Sequence, residues 1–326
     1  MDYLDSSFCI TRVRKIPSHW GERVLRKVVS SLAISDWYSL GSLRLEYAGW
    51  RRIRNVQGIT HLLWADRDWG FLDILPGMKR VPIVGTFHAC PDDFSSTVSK
   101  PHRLSNLAGV ILMSEVQRQN FVNAGMPEER IHVVLHGIDT KHFRPAEEAK
   151  QSSMRFNVLH VGSYRRNFDI LEQVCDRLKE HPYIRFQIIT SPAIADRFRD
   201  KLNIEVLCGL SDGQLLQRYQ SASCMLMTAE AATANNAILE GIACGLPVVA
   251  ERVGGIPEYV NTECAILCEP CDIDGLVNAL EMLAADGEIC RGMGIAARHR
   301  ALELDWVHIA KKTEAIYEQI RTEYSM

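Results

Sequence analysis

A short stretch in the second half of the chain combines residue types that suit a phosphorylated ligand rich in hydroxyl groups. Thr233, Asn235 and Asn236 can each cap the start of a helix, because their side chains accept the first backbone N–H groups. The N-terminus of a helix attracts anions. Glu240 lies off the apolar face of this helix, and its carboxylate can accept hydrogen bonds from sugar hydroxyls. The stretch therefore predicts a ligand site where this helix begins.

A second group of candidate residues follows a buried strand that ends at Gly162. Arg165 and Arg166 come soon after it, before the next helix. The guanidinium group is planar and always charged, so two arginines beside a helix N-terminus suit a diphosphate. Arginines are also common in surface loops. The pair therefore predicts a phosphate site only in combination with the helix that carries Glu240.

Metal sites are a separate question, raised by two Asp-x-Asp pairs and a group of cysteines. Asp66 and Asp68 follow a strand and could hold a divalent cation, whereas Asp272 and Asp274 are placed to cap a helix. The cysteines lack a partnering Cys or His pair at zinc spacing; they are Cys264, Cys268 and Cys271. We expect no metal and no other cofactor, because the arginines and a helix terminus already supply positive charge.

Length and composition describe an ordinary globular protein. A chain of 326 residues is long for one core and predicts two domains. The formal net charge of −3 argues neither for nor against a polyanionic partner, and the ten scattered cysteines are typical of buried thiols in a reducing compartment. Asp2 and Asp5 are unlike the basic start of a signal peptide. We expect a cytoplasmic protein.

The first sixty residues carry a local excess of basic side chains interleaved with tryptophans. Trp20, Trp37 and Trp50 alternate with arginines and lysines in this region. One interpretation is a surface that contacts anionic lipid headgroups, at the cytoplasmic face of a membrane, or a phosphorylated acceptor. The other is a solvated helix face above buried tryptophans. No nucleic-acid recognition motif accompanies the charge, so we expect no nucleic-acid partner.

From residue 59 onwards, short apolar runs alternate with amphipathic stretches. This alternation predicts an α/β fold with parallel sheets covered by helices, and ligands at the carboxyl ends of the strands. The predicted strands are 59–63, 81–87, 110–113, 131–135, 157–161, 184–189, 204–208, 224–227, 246–250 and 265–267. Helices are predicted at 273–284 and 305–323, with no element between them.

A polar, unpatterned segment from 145 to 154 divides the chain into two series of strands and helices. It has the composition of an interdomain linker. We expect an N-terminal α/β domain over 1–145, a C-terminal α/β domain over 154–304, and a terminal helix over 305–326. No repeat of short period is visible, although the two series share the same alternation of strands and helices.

Residues 243–250 read Ala-Cys-Gly-Leu-Pro-Val-Val-Ala, and Gly254-Gly255 follows them. With the carboxylate of Glu240, these motifs resemble the retaining, family 4 type glycosyltransferases of the glycosyl transferases group 1 family. The resemblance implies the GT-B fold, which has two facing Rossmann-like domains with parallel sheets. It also implies that the first domain of this chain is shortened, because only Gly21 could supply the family's early glycine loop.

The family carries two glutamates with seven residues between them, of which the second matches Glu240. The position of the first is Ala232 in this chain, and Glu230 lies two residues earlier. His88 matches a family histidine that faces donor and acceptor; a satisfied core histidine is the other interpretation. The resemblance implies catalytic roles for His88, Arg165, Arg166 and Glu240, and donor-binding roles for Gly162, Gly209, Leu210, Ser211, Glu230, Asn235, Asn236 and Ala237.

These matches predict a glycosyltransferase. It would move a sugar from a UDP- or GDP-sugar to a glycan, lipid-linked or other hydroxyl acceptor, with retention and without a metal. A nucleotide-sugar-binding scaffold without catalytic activity is the alternative, and Ala232 is the feature that favours it. A dinucleotide-dependent dehydrogenase fits poorly, because no Gly-x-Gly-x-x-Gly follows a predicted strand.

Overall fold

The computed structural model describes residues 33–53, 58–147 and 155–324. It divides into two compact units: the chain up to Leu135 together with the residues from Ile309 onwards, and His136–His308. The basic N-terminal stretch with Trp20 and Gly21 lies outside the described residues, as does most of the predicted linker.

Each unit is built on a parallel sheet. The first-unit strands are β1 (Thr60–Leu62), β2 (Ile83–Phe87), β3 (Gly109–Leu112) and β4 (Ile131–Val133), in the order β1-β2-β3-β4. The second-unit strands are β5 (Phe156–Val161), β6 (Ile184–Ile189), β7 (Ile204–Leu207), β8 (Cys224–Met227), β9 (Val248–Glu251) and β10 (Ala265–Cys268), in the order β10-β9-β8-β5-β6-β7. All neighbouring strands pair in parallel, which confirms the predicted α/β class.

Helices cover both sheets, and their apolar faces form the two main cores. In chain order they are α1 (Leu40–Ile53), α2 (Ala65–Asp68), α3 (Phe94–Thr97), α4 (Arg118–Asn123), α5 (Phe168–Arg177), α6 (Pro192–Ala195), α7 (Asp212–Ser221), α8 (Asn236–Ala243), α9 (Ile256–Tyr259), α10 (Ile273–Ala285), α11 (Gly287–Glu303) and α12 (Trp306–Tyr324). Several begin at a capping side chain. Asn235 accepts the N–H of Ile238, and Asp272 accepts that of Gly275, as the sequence predicts for both.

The helix α11 is an element that the sequence pattern does not predict. Three glycines, at its start and at Gly292 and Gly294, dilute its helical signal. At Gly294 the structure gives the reason for a glycine, since an added Cβ would lie 2.6 Å from the carbonyl oxygen of Gly245. The residue type that weakens the helix therefore lets it pack directly against the turn that follows α8.

The second unit starts before the polar segment that we expected to separate the domains. Arg298 of α11 donates to the carbonyls of Thr140 (3.0 Å) and Phe143 (2.9 Å). The N–H of His136 donates to the Tyr259 hydroxyl at 2.8 Å. These bonds attach residues 136–143 to the second unit, whereas most of α12 belongs to the first.

None of the helices in the described part of the chain has both the length and the apolar character that a membrane span needs.

A buried polar network of the first unit surrounds the carboxylate of Asp73. It accepts hydrogen bonds from Trp69 Nε1 (2.9 Å), Asn106 Nδ2 (2.8 Å) and Arg103 Nε (3.1 Å). The Arg103 guanidinium is itself buried and also donates to the carbonyl of Gly70. Each charge is thus compensated inside the core, where removal of one partner is costly.

We expect Asp73→Ala to lower the free energy of unfolding by about 3–5 kcal/mol, because it leaves the Arg103 guanidinium buried without its counter-charge. Urea denaturation measures the change. Glu288→Ala is the matched control, since its ion pair with Arg291 lies on the surface and should be worth at most about 1 kcal/mol. Equal losses in the two variants would contradict the assignment of the Asp73 network as a stabilising element.

Candidate functional site

The six-stranded sheet has its switch point between β5 and β8. From β5 the chain builds outwards in one direction through β6 and β7, then returns to add β8, β9 and β10 on the other side. Loops that leave neighbouring strands in opposite directions open a crevice at the carboxyl ends, which is where such sheets bind ligands. The loops concerned are residues 162–167 after β5 and 228–235 after β8.

Backbone hydrogen bonds join these two loops. The N–H of Asn167 donates to the carbonyl of Thr228 at 3.2 Å, and the N–H of Glu230 donates to the carbonyl of Arg165 at 3.1 Å. The Thr228 hydroxyl adds a bond to the carbonyl of Asn167 at 2.8 Å. The two loops are therefore hydrogen-bonded to each other at the carboxyl ends of β5 and β8, and these bonds fix the backbone that carries their side chains.

Arg166 lies at the centre of this connection. Its guanidinium donates to the carbonyls of Val161 (3.1 Å) and Tyr164 (3.2 Å) and to Asn235 Oδ1 (3.3 Å). Burial holds its pKa below the usual value for arginine, although the group stays charged at neutral pH. Gly162 makes room for it, since an added Cβ would lie 2.8 Å from Arg166 Nη2 and the φ of 112° suits only glycine.

Arg165 adopts a conformation that is uncommon for a residue with a side chain. Its φ is 53°, in the left-handed region. Its guanidinium lies 5.8 Å from the centre of the Tyr164 ring, which is exposed. The turn thus brings both arginines to the carboxyl end of β5, as the sequence predicts, but in different roles: Arg166 bonds to the surrounding loops while Arg165 lies nearer the surface.

The helix α8 begins at this same place. Asn235 is buried and caps it, and the Asn235 Nδ2 atom is buried with no hydrogen-bond partner among the described residues. Asn236 is exposed and Ala237 is buried in the first turn, whose backbone N–H groups have no partners within the helix. A guanidinium, an amide N–H₂ and a helix N-terminus therefore converge, and all three are hydrogen-bond donors suited to an anion.

Glu240 lies one turn further along α8. Its Oε2 atom accepts a hydrogen bond from the Tyr219 hydroxyl at 2.7 Å, and Tyr219 is fully buried. Burial raises the pKa of the Glu240 carboxyl, and the Tyr219 bond partly opposes that rise. Tyr219 is a residue of this site that the sequence analysis did not identify. In the sequence it lies among the apolar residues of α7, a position that indicates core packing and not a hydrogen bond to Glu240.

The structure separates the two positions that could supply the family's first glutamate. Ala232 is buried and its carbonyl accepts the N–H of Gly255 at 2.9 Å. An added Cβ on Gly254 would lie 2.1 Å from that carbonyl oxygen, so the Gly-Gly turn is packed directly on the loop. Glu230 is exposed. No carboxylate thus occupies the Ala232 position, and Glu230 lies on the surface.

Two further polar residues at this edge of the sheet escaped the sequence reasoning. Glu251 ends β9 as a buried acid, where its carboxylate accepts the N–H of Ala229 (3.2 Å) and of Cys271 (2.9 Å). Thr190 follows β6, and its hydroxyl is buried without a partner among the residues that the structure describes. The available signal for Glu251 was an acidic residue that directly follows the apolar run of β9.

The predicted base-binding loop follows β7, two strands from β5. Gly209 has φ 65° and is exposed, as is Ser211, while Leu210 is half-buried. Ser211 caps α7 through the N–H of Gln214 (3.4 Å), and the Gln214 side chain accepts the N–H of Ser211 in return. This loop ends at the same edge of the sheet as the arginines, because the ends of β5, β6 and β7 are in register.

His88 lies in the first unit, at the carboxyl end of β2. Its ring stacks on Trp64, with centroids 4.1 Å apart and planes inclined by 15°. The buried carboxylate of Asp66 accepts the backbone N–H groups of His88 (2.7 Å) and Ala89 (3.1 Å). His88 is therefore partly exposed at the strand end, as expected, and Asp66 is engaged with the chain itself.

The other acidic and cysteine candidates are also engaged locally. Asp68 accepts hydrogen bonds from Ser42 and Arg67, and Asp272 caps α10. Cys264 and Cys268 are buried and Cys271 is exposed, all as free thiols. In the described ranges, no group of three or more His, Cys, Asp or Glu side chains is arranged to hold a metal ion.

Most of the second unit is similar to a known protein family. Residues 155–286, which contain the whole crevice, match the family described as Glycosyl transferases group 1. A mannosyltransferase of Mycolicibacterium hassiacum is 29% identical over 204 residues, which cover 59% of this chain and 49% of that protein. The chain spans about half the length of the curated relatives it matches.

Two solved structures share the fold of the whole chain. Sucrose-phosphate synthase of Thermosynechococcus elongatus superposes with a TM-score of 0.70, covering 96% of this chain and 83% of that one at 18% identity. The Anabaena protein HepE, solved in complex with UDP, has a TM-score of 0.67 at 17% identity, covering 86% of this chain and 84% of that one. The chain has the GT-B type α/β fold with the smaller sheet in its first unit, which confirms the predicted fold class.

Gly254 packs directly against the Ala232 carbonyl. We expect Gly254→Ala to displace the loop 229–235, because the new Cβ would overlap the Ala232 carbonyl at 2.1 Å and φ is 53°. The free energy of unfolding should fall by about 1–3 kcal/mol. Amide hydrogen exchange in the loop should accelerate.

Gly213→Ala is the matched control, because Gly213 lies in α7 with no atom within 4 Å of the added Cβ. It should stabilise the helix by up to about 1 kcal/mol and leave exchange in the loop unchanged. Unaltered exchange in Gly254→Ala as well would show that the close contact does not shape the crevice.

Proposed function

We propose that this protein is a glycosyltransferase that moves a sugar from a nucleotide-sugar donor, a UDP- or GDP-sugar, to a hydroxyl acceptor. The observation that carries the proposal is the convergence of donors at the switch point of the second unit. Arg166, the Asn235 amide and the N-terminus of α8 meet at the carboxyl ends of β5 and β8. A nucleoside diphosphate is the anion that this arrangement suits best.

The proposed mechanism depends on stabilising the negative charge of the leaving diphosphate. When the bond between sugar C1 and the diphosphate breaks, negative charge develops on the leaving group. The guanidinium groups of Arg165 and Arg166 and the helix N-terminus would stabilise that charge, and they are held in place before the reaction begins. This assigns the neutralisation of the diphosphate to protein groups, so the proposed mechanism uses no metal ion.

The remaining predicted residues fit around such a donor. Glu240, one turn into α8, would accept hydrogen bonds from the ribose hydroxyls while Tyr219 holds its carboxylate. The exposed loop of Gly209, Leu210 and Ser211 would receive the base through backbone groups. Asn236 and Ala237 would present N–H groups to the transferred sugar, with Glu230 on the adjoining surface loop.

The acceptor side is proposed for the first unit, where His88 lies partly exposed beside Trp64. A glycan, a lipid-linked sugar or another hydroxyl compound would serve as acceptor, and transfer would retain the anomeric configuration, as in the family that the sequence resembles. The mannosyltransferase relative and the UDP complex of HepE support a nucleotide-sugar substrate.

A cytoplasmic location with a peripheral membrane contact belongs to the same proposal. The tryptophans and arginines of the first sixty residues motivate it, and within the described residues Trp37, Arg51 and Arg52 are exposed. Such side chains suit an anionic lipid surface.

A nucleotide-sugar-binding scaffold is the second candidate, and the burial of Ala232 in place of a carboxylate favours it. Titration calorimetry with UDP- and GDP-sugars, combined with an assay for released nucleoside diphosphate, distinguishes the two. Binding with release, and mass-spectrometric detection of a glycosylated product, supports the transferase. Binding without release over a broad acceptor panel supports the scaffold.

We expect the double variant Arg165→Ala, Arg166→Ala to abolish turnover of a nucleotide-sugar donor, because the leaving diphosphate loses its fixed positive charges. Calorimetry should also show much weaker binding of the nucleoside diphosphate. Arg166→Lys should keep part of the affinity, since it retains the charge but not the planar fork.

Arg291→Ala is the control for the loss of an arginine. This side chain of α11 is exposed and forms an ion pair with Glu288, and such a surface pair contributes little to stability. The variant should bind and turn over the donor normally. Normal turnover in the Arg165→Ala, Arg166→Ala variant, with its folding confirmed by circular dichroism, would overturn the proposed site.

The Glu240–Tyr219 pair predicts the pH dependence of donor binding. Burial raises the pKa of Glu240, so this carboxylate gains a proton at a higher pH than an exposed glutamate does, and UDP affinity should fall on mild acidification. Tyr219→Phe removes the hydrogen bond that opposes the rise, so the fall should begin at a higher pH. Calorimetric titrations of UDP from neutral to acidic pH measure both curves.

Glu240→Gln is the control, because its side chain has no proton to gain. Its affinity should be lower than that of the unmodified protein at neutral pH and should change little on acidification. If UDP affinity changed with pH in the same way in all three proteins, protonation of Glu240 would not control ribose binding.

A further inference from the structure

The peptide segment that carries His88 is held from two sides by buried polar side chains. On one side the Asp66 carboxylate accepts the N–H groups of His88 (2.7 Å) and Ala89 (3.1 Å). On the other, Gln117 Nε2 donates to the carbonyls of Phe87 (3.1 Å) and Ala89 (2.9 Å). Both the donors and the acceptors of this strand end are therefore fixed before any ligand arrives.

Gln117 is itself fixed at its other end. Its Oε1 atom accepts the N–H groups of Met113 (2.8 Å) and Ser114 (3.2 Å), which follow the neighbouring strand β3. Asp66 belongs to α2, which follows β1. The segment after β2 is thus tied to the ends of both of its neighbours in the sheet, so that the backbone of His88 has little freedom.

The imidazole ring is also held. One face stacks on Trp64, and the Nδ1 atom lies 3.4 Å from the Asp66 Oδ2 atom. The Asp66 side chain is 1% exposed and that of His88 is 19% exposed. The carboxylate is therefore inside the protein, beside the Nδ1 edge of a ring that is partly exposed.

The charged neighbours of this pair are compensated. Arg67 and Asp68, next to Asp66 in the chain, form an ion pair with each other at 3.2 Å. His61 is buried between Thr86 and Tyr317, and burial lowers its pKa to about 3, so it stays neutral at neutral pH. Asp66 is the buried carboxylate that lies beside the His88 ring.

We propose that Asp66 is a positioning residue that holds the proton of neutral His88 on Nδ1, so that Nε2 carries the lone pair and accepts a hydrogen bond from a hydroxyl of the sugar substrate. A carboxylate accepts but does not donate hydrogen bonds, so it selects the tautomer with N–H directed towards it. The inference rests on the proposed function in one respect, the presence of a sugar hydroxyl at His88. The tautomer itself does not depend on that function.

The first test measures the tautomer directly, by ¹⁵N nuclear magnetic resonance of the full chain labelled on histidine. The sequence has 11 histidines, and the His88 signals are those absent from His88→Gln. We expect the proton on Nδ1 in the unmodified protein. In Asp66→Asn a neutral amide replaces the carboxylate beside the ring, so the preference for the proton on Nδ1 should be lost and Nε2 should carry it. Asp68→Asn is the matched control and should leave the tautomer unchanged.

The second test measures function in the same variants. Asp66→Asn should lower kcat for sugar transfer by about tenfold, the effect of losing one hydrogen bond to the substrate hydroxyl. Its affinity for the nucleotide donor should stay unchanged, because the donor residues lie in the second unit. Gln117→Ala should loosen the segment but keep the proton on Nδ1, which separates the effect of the tautomer from that of the backbone.

A proton on Nε2 in the unmodified protein overturns the proposal, as does an unchanged tautomer in Asp66→Asn. A shifted tautomer with undiminished kcat also overturns it and leaves the proposed function intact. If the unmodified protein shows no transfer, the proposed function fails, and the resonance spectra still decide whether Asp66 sets the tautomer. If Asp66→Asn does not fold, the spectrum of the unmodified protein decides the same point.

Discussion

The crevice of the second unit depends on one close approach, that of the Arg166 guanidinium to the backbone at Gly162. A side chain at Gly162 would occupy the volume of that guanidinium. With glycine there, Arg166 bonds to both loops at the switch point and to the residue that caps α8. The start of the helix, and with it the position of Glu240 one turn later, follows from this contact.

Both units use a buried acid in the same way. Asp66 accepts the N–H groups that follow β2, and Glu251 accepts those of Ala229 after β8 and of Cys271 after β10. In a parallel sheet the loops at the carboxyl ends begin with N–H groups that the ladder no longer satisfies, and a carboxylate from a neighbouring strand end can bind two of them. The loops that carry candidate site residues are thereby ordered by the sheet itself.

Ala232 is buried at the position where the family has its first glutamate. Its carbonyl receives Gly255 and its surroundings are filled by the Gly-Gly turn, while Glu230 is directed to the surface loop. The groups proposed to bind the diphosphate and ribose are all present, whereas the position of the family's first carboxylate is occupied by a methyl group. In the proposed function, donor binding and sugar transfer would therefore depend on partly different residues.

The sequence by itself determined the α/β class, nearly every strand and the stretch that contains the crevice of the second unit, and it offered Asn235 and Asp272 among the possible helix caps, because these depend on local periodicity and capping chemistry. Only the tertiary structure decided the role of Asp66, which the sequence left as a possible metal ligand, and the existence of α11, whose glycines serve a contact with Gly245. It also decided that Tyr219 holds Glu240 and that Arg166 reaches Asn235. The physical reason is distance along the chain: each of these contacts joins residues more than twenty positions apart, which no local pattern of residue types can encode.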